Sequence, residues 1–441
     1  MNRIAVTTLL LAVVVGSVAP AVEWQTLGPP ARCAARVAVD GFKQRAFLFG
    51  GTTVYANGVY FNDLWEMSLS NTNQYAWRKV IASGTPPSGR ADHVMVYNPT
   101  DGQIIVFGGS PQRYVHIDDV WVLNINQNTP TWQELHPTGG PPGGRGYAYG
   151  IYHPSRHSLI IFGGYSVSRT YDDVWELKLD SMVWRQVSVS GTHPSARFDG
   201  ASLFDPSANR MIIFGGKDGG YHNEVWSLSL TPGSESWLQL SPGGQSPDER
   251  AGFAYAATPD GQKLYVFGGW NSYDYYNDLY QLNIPTLTWT SIGATGELPT
   301  ARRNTLGFMD APNRSFFIFG GEAGPGGYLS DTHFTDCVSL GAADWCRATE
   351  TPSQLLGVTS IARDRVRIQF TPGLTDRVNL RVVDASGRRI RQLFSGASSA
   401  GSRVKYWDCR DDAGQPVSAG TYYCRMEAGD LVVSRKFTVV R

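Results

Sequence analysis

The stretch Ile104-Ile105-Val106-Phe107-Gly108-Gly109, followed by Asp118-Asp119-Val120-Trp121 and then by Trp132, is one copy of a pattern that runs through most of the chain. The apolar-Phe-Gly-Gly signature recurs with doublets at Gly50-Gly51, Gly108-Gly109, Gly163-Gly164, Gly215-Gly216, Gly268-Gly269 and Gly320-Gly321. The steps between copies are 58, 55, 52, 53 and 52 residues. Each doublet closes a continuous apolar run, such as Met211-Ile212-Ile213-Phe214, which is the mark of a strand buried on both faces. A second strand follows at Asn62-Asp63-Leu64-Trp65, Asp118-Asp119-Val120-Trp121, Asp172-Asp173-Val174-Trp175, Asn223-Glu224-Val225-Trp226, Asn277-Asp278-Leu279-Tyr280 and a decayed Asp331-Thr332-His333-Phe334. A third opens at Trp77, Trp132, Trp184, Trp237, Trp289 and Trp345, and a fourth after a Pro-rich turn and an arginine at Arg32, Arg90, Arg145, Arg197, Arg250 and Arg302. Four strands per repeat make a propeller blade, which can bury both its faces only against its neighbours in a closed ring.

The doublet, the acidic-acidic-apolar-Trp strand and the later Trp resemble the kelch-repeat β-propellers over residues 24–345. The resemblance implies an all-β, six-bladed propeller at residues 22–350, with each Trp wedged between blades. Trp24-Gln25-Thr26-Leu27 copies Trp132-Gln133-Glu134-Leu135 and is expected to complete the last blade, closing the ring. The alternative gives that role to Trp345. Residues 351–441 lack the repeat and alternate apolar and polar, as in Val378-Asn379-Leu380-Arg381-Val382-Val383, which predicts a small Ig-like β-sandwich. Its Tyr406-Trp407-Asp408, Asp411-Asp412-Ala413-Gly414 and Ala419-Gly420-Thr421-Tyr422 resemble the Ig-like domain of flagellar hook-capping proteins and the C-terminal sorting domains of type IX secretion cargo. That resemblance implies export or attachment at a bacterial surface.

Residues 1–21 read as a secretory signal: Arg3, an apolar run from Ile4 to Val15, and Ala19-Pro20-Ala21. The run is too short to cross a bilayer, so a secreted or surface-held product without a transmembrane segment is expected. Glycine (49) and proline (25) make 74 of 441 residues, well under the roughly 25 to 30% of disordered chains. Lys plus Arg (38) equal Asp plus Glu (38), so no overall field favours nucleic acid. No cofactor motif is present, a metal site is not expected, and a monomer is.

His153 and His157 are spaced as a helical metal pair, but Pro154 divides them and they fall in a turn. The six arginines read as scaffold, each bound to the next blade's carbonyls or to the acidic pair before the Trp, because function seldom needs six identical copies. Residues that differ between repeats are better candidates. The loops after the doublets carry Tyr55, Arg113, Tyr114, Tyr165, Arg169, Lys217, Tyr221, Trp270, Tyr273 and Asp274, a recognition-loop composition that predicts a protein- or glycan-binding face. Trp270 is expected to be dispensable for stability and Trp175 to be core. The rival reading is a carbohydrate-active enzyme of the sialate mutarotase or galactose oxidase-like kind; the first requires an acid/base pair in the channel, and the second a copper site of imidazoles and phenolates near a Cys, for which the eight His stand at differing repeat positions. Export permits disulfides: Cys409 with Cys424 across a hairpin, Cys337 with Cys346, and Cys33 left as a thiol or paired with Cys346.

Overall fold

The computed structural model describes residues 28–336 and 356–440, apart from short stretches at 54–57, 71–74, 294–297, 313–314, 359–360, 363–364, 371–376, 385–387, 398–402 and 429–430. Residues 1–21, Trp24, Tyr55, Cys337, Trp345 and Cys346 lie outside the described residues, and so does the choice of closing strand.

Among the described residues, six sheets of three or more antiparallel strands follow one another along the repeats, the fifth also carrying Gly243–Gly244 parallel to its outer strand. The first orders Arg36–Asp40, Arg45–Phe49, Leu64–Ser68 and Trp77–Val80 from the axis outward, and the next four repeat that order. The sixth shows Leu306–Asp310, Ser315–Phe319 and Thr332–Asp336. The doublet strands are buried on both faces, as in Phe47, Leu48 and Phe49 or Leu159 to Phe162, so their side chains glue each sheet to both neighbours.

The Trp of the outer strand packs on the Phe before the preceding doublet. Ring centroids lie 5.0 Å apart for Trp132 and Phe49, 5.3 Å for Trp184 and Phe107, 4.9 Å for Trp237 and Phe162, and 4.8 Å for Trp289 and Phe214. Trp77 meets Phe319 of the sixth sheet at 6.0 Å, so the same contact joins the last repeat to the first. Backbone bonds close the ring as well: the second glycine of each doublet donates to the next repeat's arginine carbonyl, from Gly51 to Arg90 (2.8 Å) through Gly321 to Arg32 (2.9 Å). Glycine is needed here, since Gly50 has φ +72° and a Cβ would lie 2.5 Å from the Arg90 oxygen.

Each arginine side chain stays within its own sheet. Arg32, Arg90, Arg145, Arg197, Arg250 and Arg302 pair with Asp63, Asp119, Asp173, Glu224, Asp278 and Asp331 at 2.5 to 2.9 Å. In the first three sheets that Asp also accepts the indole N–H two residues on. The arginines are scaffold because every one of them is buried and spent on this bond. Trp175 departs from expectation: it is half-buried, held by its N–H on Asp173 at 2.9 Å, while Trp184 is the fully buried one. His153 and His157 do sit in a turn, His153 bonding Asn209 at 2.7 Å and His157 lying between Asp101 (2.8 Å) and Asp180 (2.5 Å).

The C-terminal sandwich packs a three-stranded sheet (Leu356–Val358, Val366–Phe370, Arg403–Trp407) on a five-stranded one that includes Arg377–Asp384, Gly420–Ala428 and Leu431–Val439. Its core gathers Ile368, Leu380, Val382, Trp407, Met426 and Phe437. Cys409 and Cys424 are buried thiols here, not a disulfide. The hairpin turn forms, but it is tight: the Cys409 carbonyl accepts from Val417 N (3.0 Å), so Val417 is its cross-strand neighbour. Cys424 lies beyond the crossing into the other sheet, between Val382 and Arg435, and burial pushes its thiol up to about 12.

Candidate functional site at the doublet-side channel mouth

Two residues after each arginine the chain turns toward the axis with a positive φ: Ala34, Asp92, Tyr147, Asp199, Gly252 and Asn304, at +51° to +65°. Their backbones bond in a circle. Asp92 N donates to Ala34 O (3.0 Å), Tyr147 to Asp92 (2.7 Å), Asp199 to Tyr147 (3.0 Å), Gly252 to Asp199 (3.0 Å), Asn304 to Gly252 (2.6 Å) and Ala34 to Asn304 (2.8 Å). A left-handed non-glycine residue costs about 1–2 kcal/mol, so five of them persist only because the ring over-determines the conformation.

Around this ring the residue after each arginine bridges the residue after each doublet: Cys33 with Thr52, Ala91 with Ser110, Gly146 with Tyr165, Phe198 with Lys217, Ala251 with Trp270, and Arg303 with Glu322. The scaffold positions are the same in every repeat, but these are not. Repeats one to three contribute mostly small side chains, whereas repeats four to six contribute Phe198, Lys217, Trp270, Arg303 and Glu322. The Lys217 ammonium sits over Trp270 (4.6 Å), Phe198 (5.3 Å) and Tyr221 (5.7 Å). The Arg303 guanidinium lies over Trp270 (4.3 Å) and Tyr275 (5.5 Å), with its Nε on Glu322 at 2.9 Å. Such cation–aromatic contacts hold the charges in place when water is thinned out.

Asp199 completes this wall. At Gly252 a Cβ would lie 2.6 Å from Asn304 Oδ1 and 3.2 Å from Asp199 Oδ2, so the glycine leaves the space these two groups face. Burial pushes the Asp199 carboxyl up to about 6, against the pull of Lys217, Arg36 and Arg303. Asp199 is half-buried. Burial likewise lowers the Lys217 ammonium, with Asp199 opposing and Arg303 adding to the shift. Among the described residues neither side chain has an ion-pair partner within 4 Å.

Of the loop residues singled out from sequence, Tyr165, Tyr221 and Trp270 meet here: Tyr165 on Phe198 (5.0 Å) and Tyr221 on Trp270 (5.3 Å). Lys217 joins them over Trp270, while Arg113, Tyr114, Arg169 and Tyr273 stand on loops of the same end. Arg113 lies over Tyr114 (4.5 Å) at the tip of an extended hairpin, Arg169 over Tyr171 (4.3 Å) and near Asp173, and Tyr273 is exposed. Sequence reasoning missed Asp199, Arg303, Phe198 and Arg36. For Phe198, Asp199 and Arg303 a signal exists, since the two positions after the constant arginine diverge between repeats as strongly as the loops do; Arg36 carries none.

The model of the KLHDC2/KLHL20/DRC7 Kelch-repeats domain matches residues 32–260 and 254–370. The chain belongs to the kelch-repeat family. The kelch fold suggests a protein-binding module. The FlgD Ig-like domain model matches residues 360–430 of the sandwich. Among curated proteins, the kelch region is similar to the flagellar outer arm dynein alpha chain of Chlamydomonas reinhardtii, 26% identical over 329 residues (73% of this chain, 6% of that protein). It is also similar to a leucine-zipper-like transcriptional regulator 1 homolog of Drosophila melanogaster, 30% identical over 236 residues (50% of this chain, 23% of that protein). The chain thus spans less than a quarter of either relative. The solved structure of YjhT shares the fold, with a TM-score of 0.52 and 18% identity, covering 70% of this chain and 96% of that one.

Proposed function

We propose that this chain is a secreted binding module that engages a protein partner through the doublet-side mouth, with the C-terminal sandwich serving export or surface attachment. The observation that carries the reading is the contrast between repeated and divergent positions. The arginine–acid bonds and Trp–Phe contacts recur around the ring, whereas the divergent positions hold Lys217, Trp270, Arg303 and Asp199 in repeats four to six and mostly smaller residues, with Asp92, Tyr147 and Tyr165, in repeats one to three. Aromatic and arginine side chains on a rigid frame are the groups that dominate interface energetics. Export and attachment are supported by the signal-like residues 1–21 and by the sandwich's similarity to the FlgD Ig-like domain.

Affinity capture from medium conditioned by the source cells tests the mouth, using the full chain and two variants. Trp270→Ala should lose partners that the wild type retains. Phe42→Ala, exposed on the opposite end in the turn between Arg36–Asp40 and Arg45–Phe49, should keep them. Equal retention by both variants would place recognition elsewhere.

A second reading, a carbohydrate-active enzyme of the mutarotase kind, is favoured by Asp199 alone, since a carboxyl titrating near 6 can give and take protons near neutral pH. Anomer exchange of free sialic acid, followed by NMR with wild type and Asp199→Asn, tests it: equal rates for the two proteins would exclude Asp199 as its base.

A further inference from the structure

We propose that the outer face of the sandwich's five-stranded sheet binds an acidic polysaccharide, whose carboxylates lie against Arg381, Arg389, Arg425 and Lys436. The inference rests on the attachment reading of the sandwich and names the chemistry of that attachment.

The neutrality of the whole chain hides a division between its two parts. Residues 351–441 hold 15 of the lysines and arginines and only 8 of the aspartates and glutamates, a net +7. The 350 residues before them hold 23 against 30, a net −7. Such asymmetry within one chain points to a polyanionic partner for its basic part.

Strand alternation puts much of this charge on one face. In Gly420–Ala428 the side chains of Tyr422, Cys424 and Met426 enter the core, so Tyr423, Arg425 and Glu427 face outward. Cross-strand register sets Arg381 opposite Arg425, Val383 and Lys436 opposite Tyr423, and Arg389 opposite Val383. Two adjacent rows result, one running Arg389, Val383, Tyr423 and Lys436, the other holding Arg381 and Arg425. Three strand spacings separate Arg389 from Lys436, so the four cations cover about 14 Å across the strands.

The acids beside these cations are too few to neutralise them. Glu427 Oε1 accepts from Arg425 Nε at 3.0 Å and from an Arg381 Nη, so one carboxylate fixes two guanidiniums and leaves most of their N–H donors for a ligand. Asp412 meets Arg389 at 3.3 Å, and Asp384 meets Arg388 of the adjoining turn at 3.2 Å. Both are surface pairs, which exchange readily for another carboxylate. Lys436 is exposed and has no ion-pair partner among the described residues. Five cations thus stand against three carboxylates.

The character of the face selects among polyanions. A bilayer interface takes up exposed aromatic and aliphatic side chains. The one large apolar side chain exposed among the described residues of the sandwich, Tyr406, belongs to the other sheet, where Arg365 lies over it at 3.9 Å. Single-stranded nucleic acid needs open rings for its bases to stack on, and Tyr423 is half-buried in its row. Duplex DNA is read by an element that enters a groove, which a five-stranded sheet does not do. A chain of sugar acids needs neither rings nor a groove. It supplies carboxylates at intervals, each matched to the planar fork of an arginine.

Fluorescence anisotropy of labelled polygalacturonate against the full chain, at low and at fourfold higher salt, tests the proposal. The variants are Arg389→Glu and Lys436→Glu, both at exposed positions, and Lys79→Glu, which makes the same charge change on the exposed surface of the first repeat. The wild type should bind, and its affinity should fall roughly tenfold or more with the rise in salt. Arg389→Glu and Lys436→Glu should each weaken binding about fivefold at low salt, and Lys79→Glu by less than about twofold. Absence of binding at low salt, or an equal loss in all three variants, would overturn the proposal. Tighter binding to duplex DNA or to phosphatidylglycerol vesicles than to polygalacturonate would overturn the polysaccharide as occupant. Fractionation of the source cells separates this contact from the attachment reading. Wild type and both sandwich variants held equally on the cells would sink the contact and leave attachment standing, whereas wild type found wholly in the medium would remove attachment and the proposal with it.

Discussion

Asp199 lies in a left-handed turn, bonded through its backbone to Tyr147 and Gly252, with its carboxyl lifted to about 6 by burial. A carboxyl whose folded pKa stands above its unfolded value of about 3.9 favours the folded state at low pH. That contribution is complete below about pH 4 and is lost as the pH rises through 6. Asp199→Asn, which keeps the shape and tolerates a positive φ, should therefore stabilise the protein at pH 7.5 by at most about 3 kcal/mol. At pH 4 the two proteins should unfold alike. Urea denaturation at pH 4, 6 and 7.5 checks this, and a constant difference across the range would show that Asp199 is not the titrating group. The importance of this residue could not be read from its type, because an Asp in a loop is ordinary and only its burial in the fold raises its pKa.

At the scale of the element, the buried arginine and its acid tie the start of the inner strand to the start of the third strand within a sheet. Arg145 is bidentate to Asp173, at 2.5 and 3.2 Å, and donates to the Gly163 carbonyl at 3.0 Å. Burial alone would raise Asp173, but the hydrogen bond and charge of Arg145, the Trp175 N–H and Arg169 outweigh it and hold the carboxyl below its usual value. The contribution of a depressed carboxyl is present above its unfolded pKa and is lost as the pH falls through the folded one. Arg145→Met leaves Asp173 without its main partner and should cost about 3–5 kcal/mol at pH 7. The penalty should shrink below pH 4, as Asp173 protonates, and chemical denaturation at the two pH values measures it. A loss of under 1 kcal/mol at pH 7 would mean that solvent replaces the arginine. This bond was half legible beforehand: six copies marked the arginine as scaffold, but whether its side chain reached its own sheet or the next one depended on the folded geometry.

Across the whole molecule, the apolar clusters of the repeats, strung between neighbouring sheets around the ring, are separate from the sandwich core, which is confined to Val366–Val439. Two calorimetric transitions are expected. Trp184→Ala, emptying the site beside Phe107, should lower one, and Leu380→Ala should lower the other, each by about 2–5 kcal/mol. A single transition shifted by both variants would show that the two parts unfold together. The architecture was readable from sequence because it is periodic: strands buried on both faces, acidic–Trp pairs and doublets each repeat local physical requirements, and six copies in register leave little choice of fold. Repetition also concealed what differs. The disulfide expected between Cys409 and Cys424 failed because hairpin spacing does not reveal where a chain changes sheets, so Val417 rather than Cys424 faces Cys409. The sequence by itself determined the repeats, the sheets and the scaffold role of the arginines, since these follow from short-range pattern and from bonds repeated in every copy. Only the tertiary structure decided that Asp199, Lys217, Trp270 and Arg303 share one wall. These residues come from three successive repeats, and what joins them is the packing of each repeat on the next, as in the bonds from Gly252 N to Asp199 O and from Asn304 N to Gly252 O, together with the burial that sets their charges.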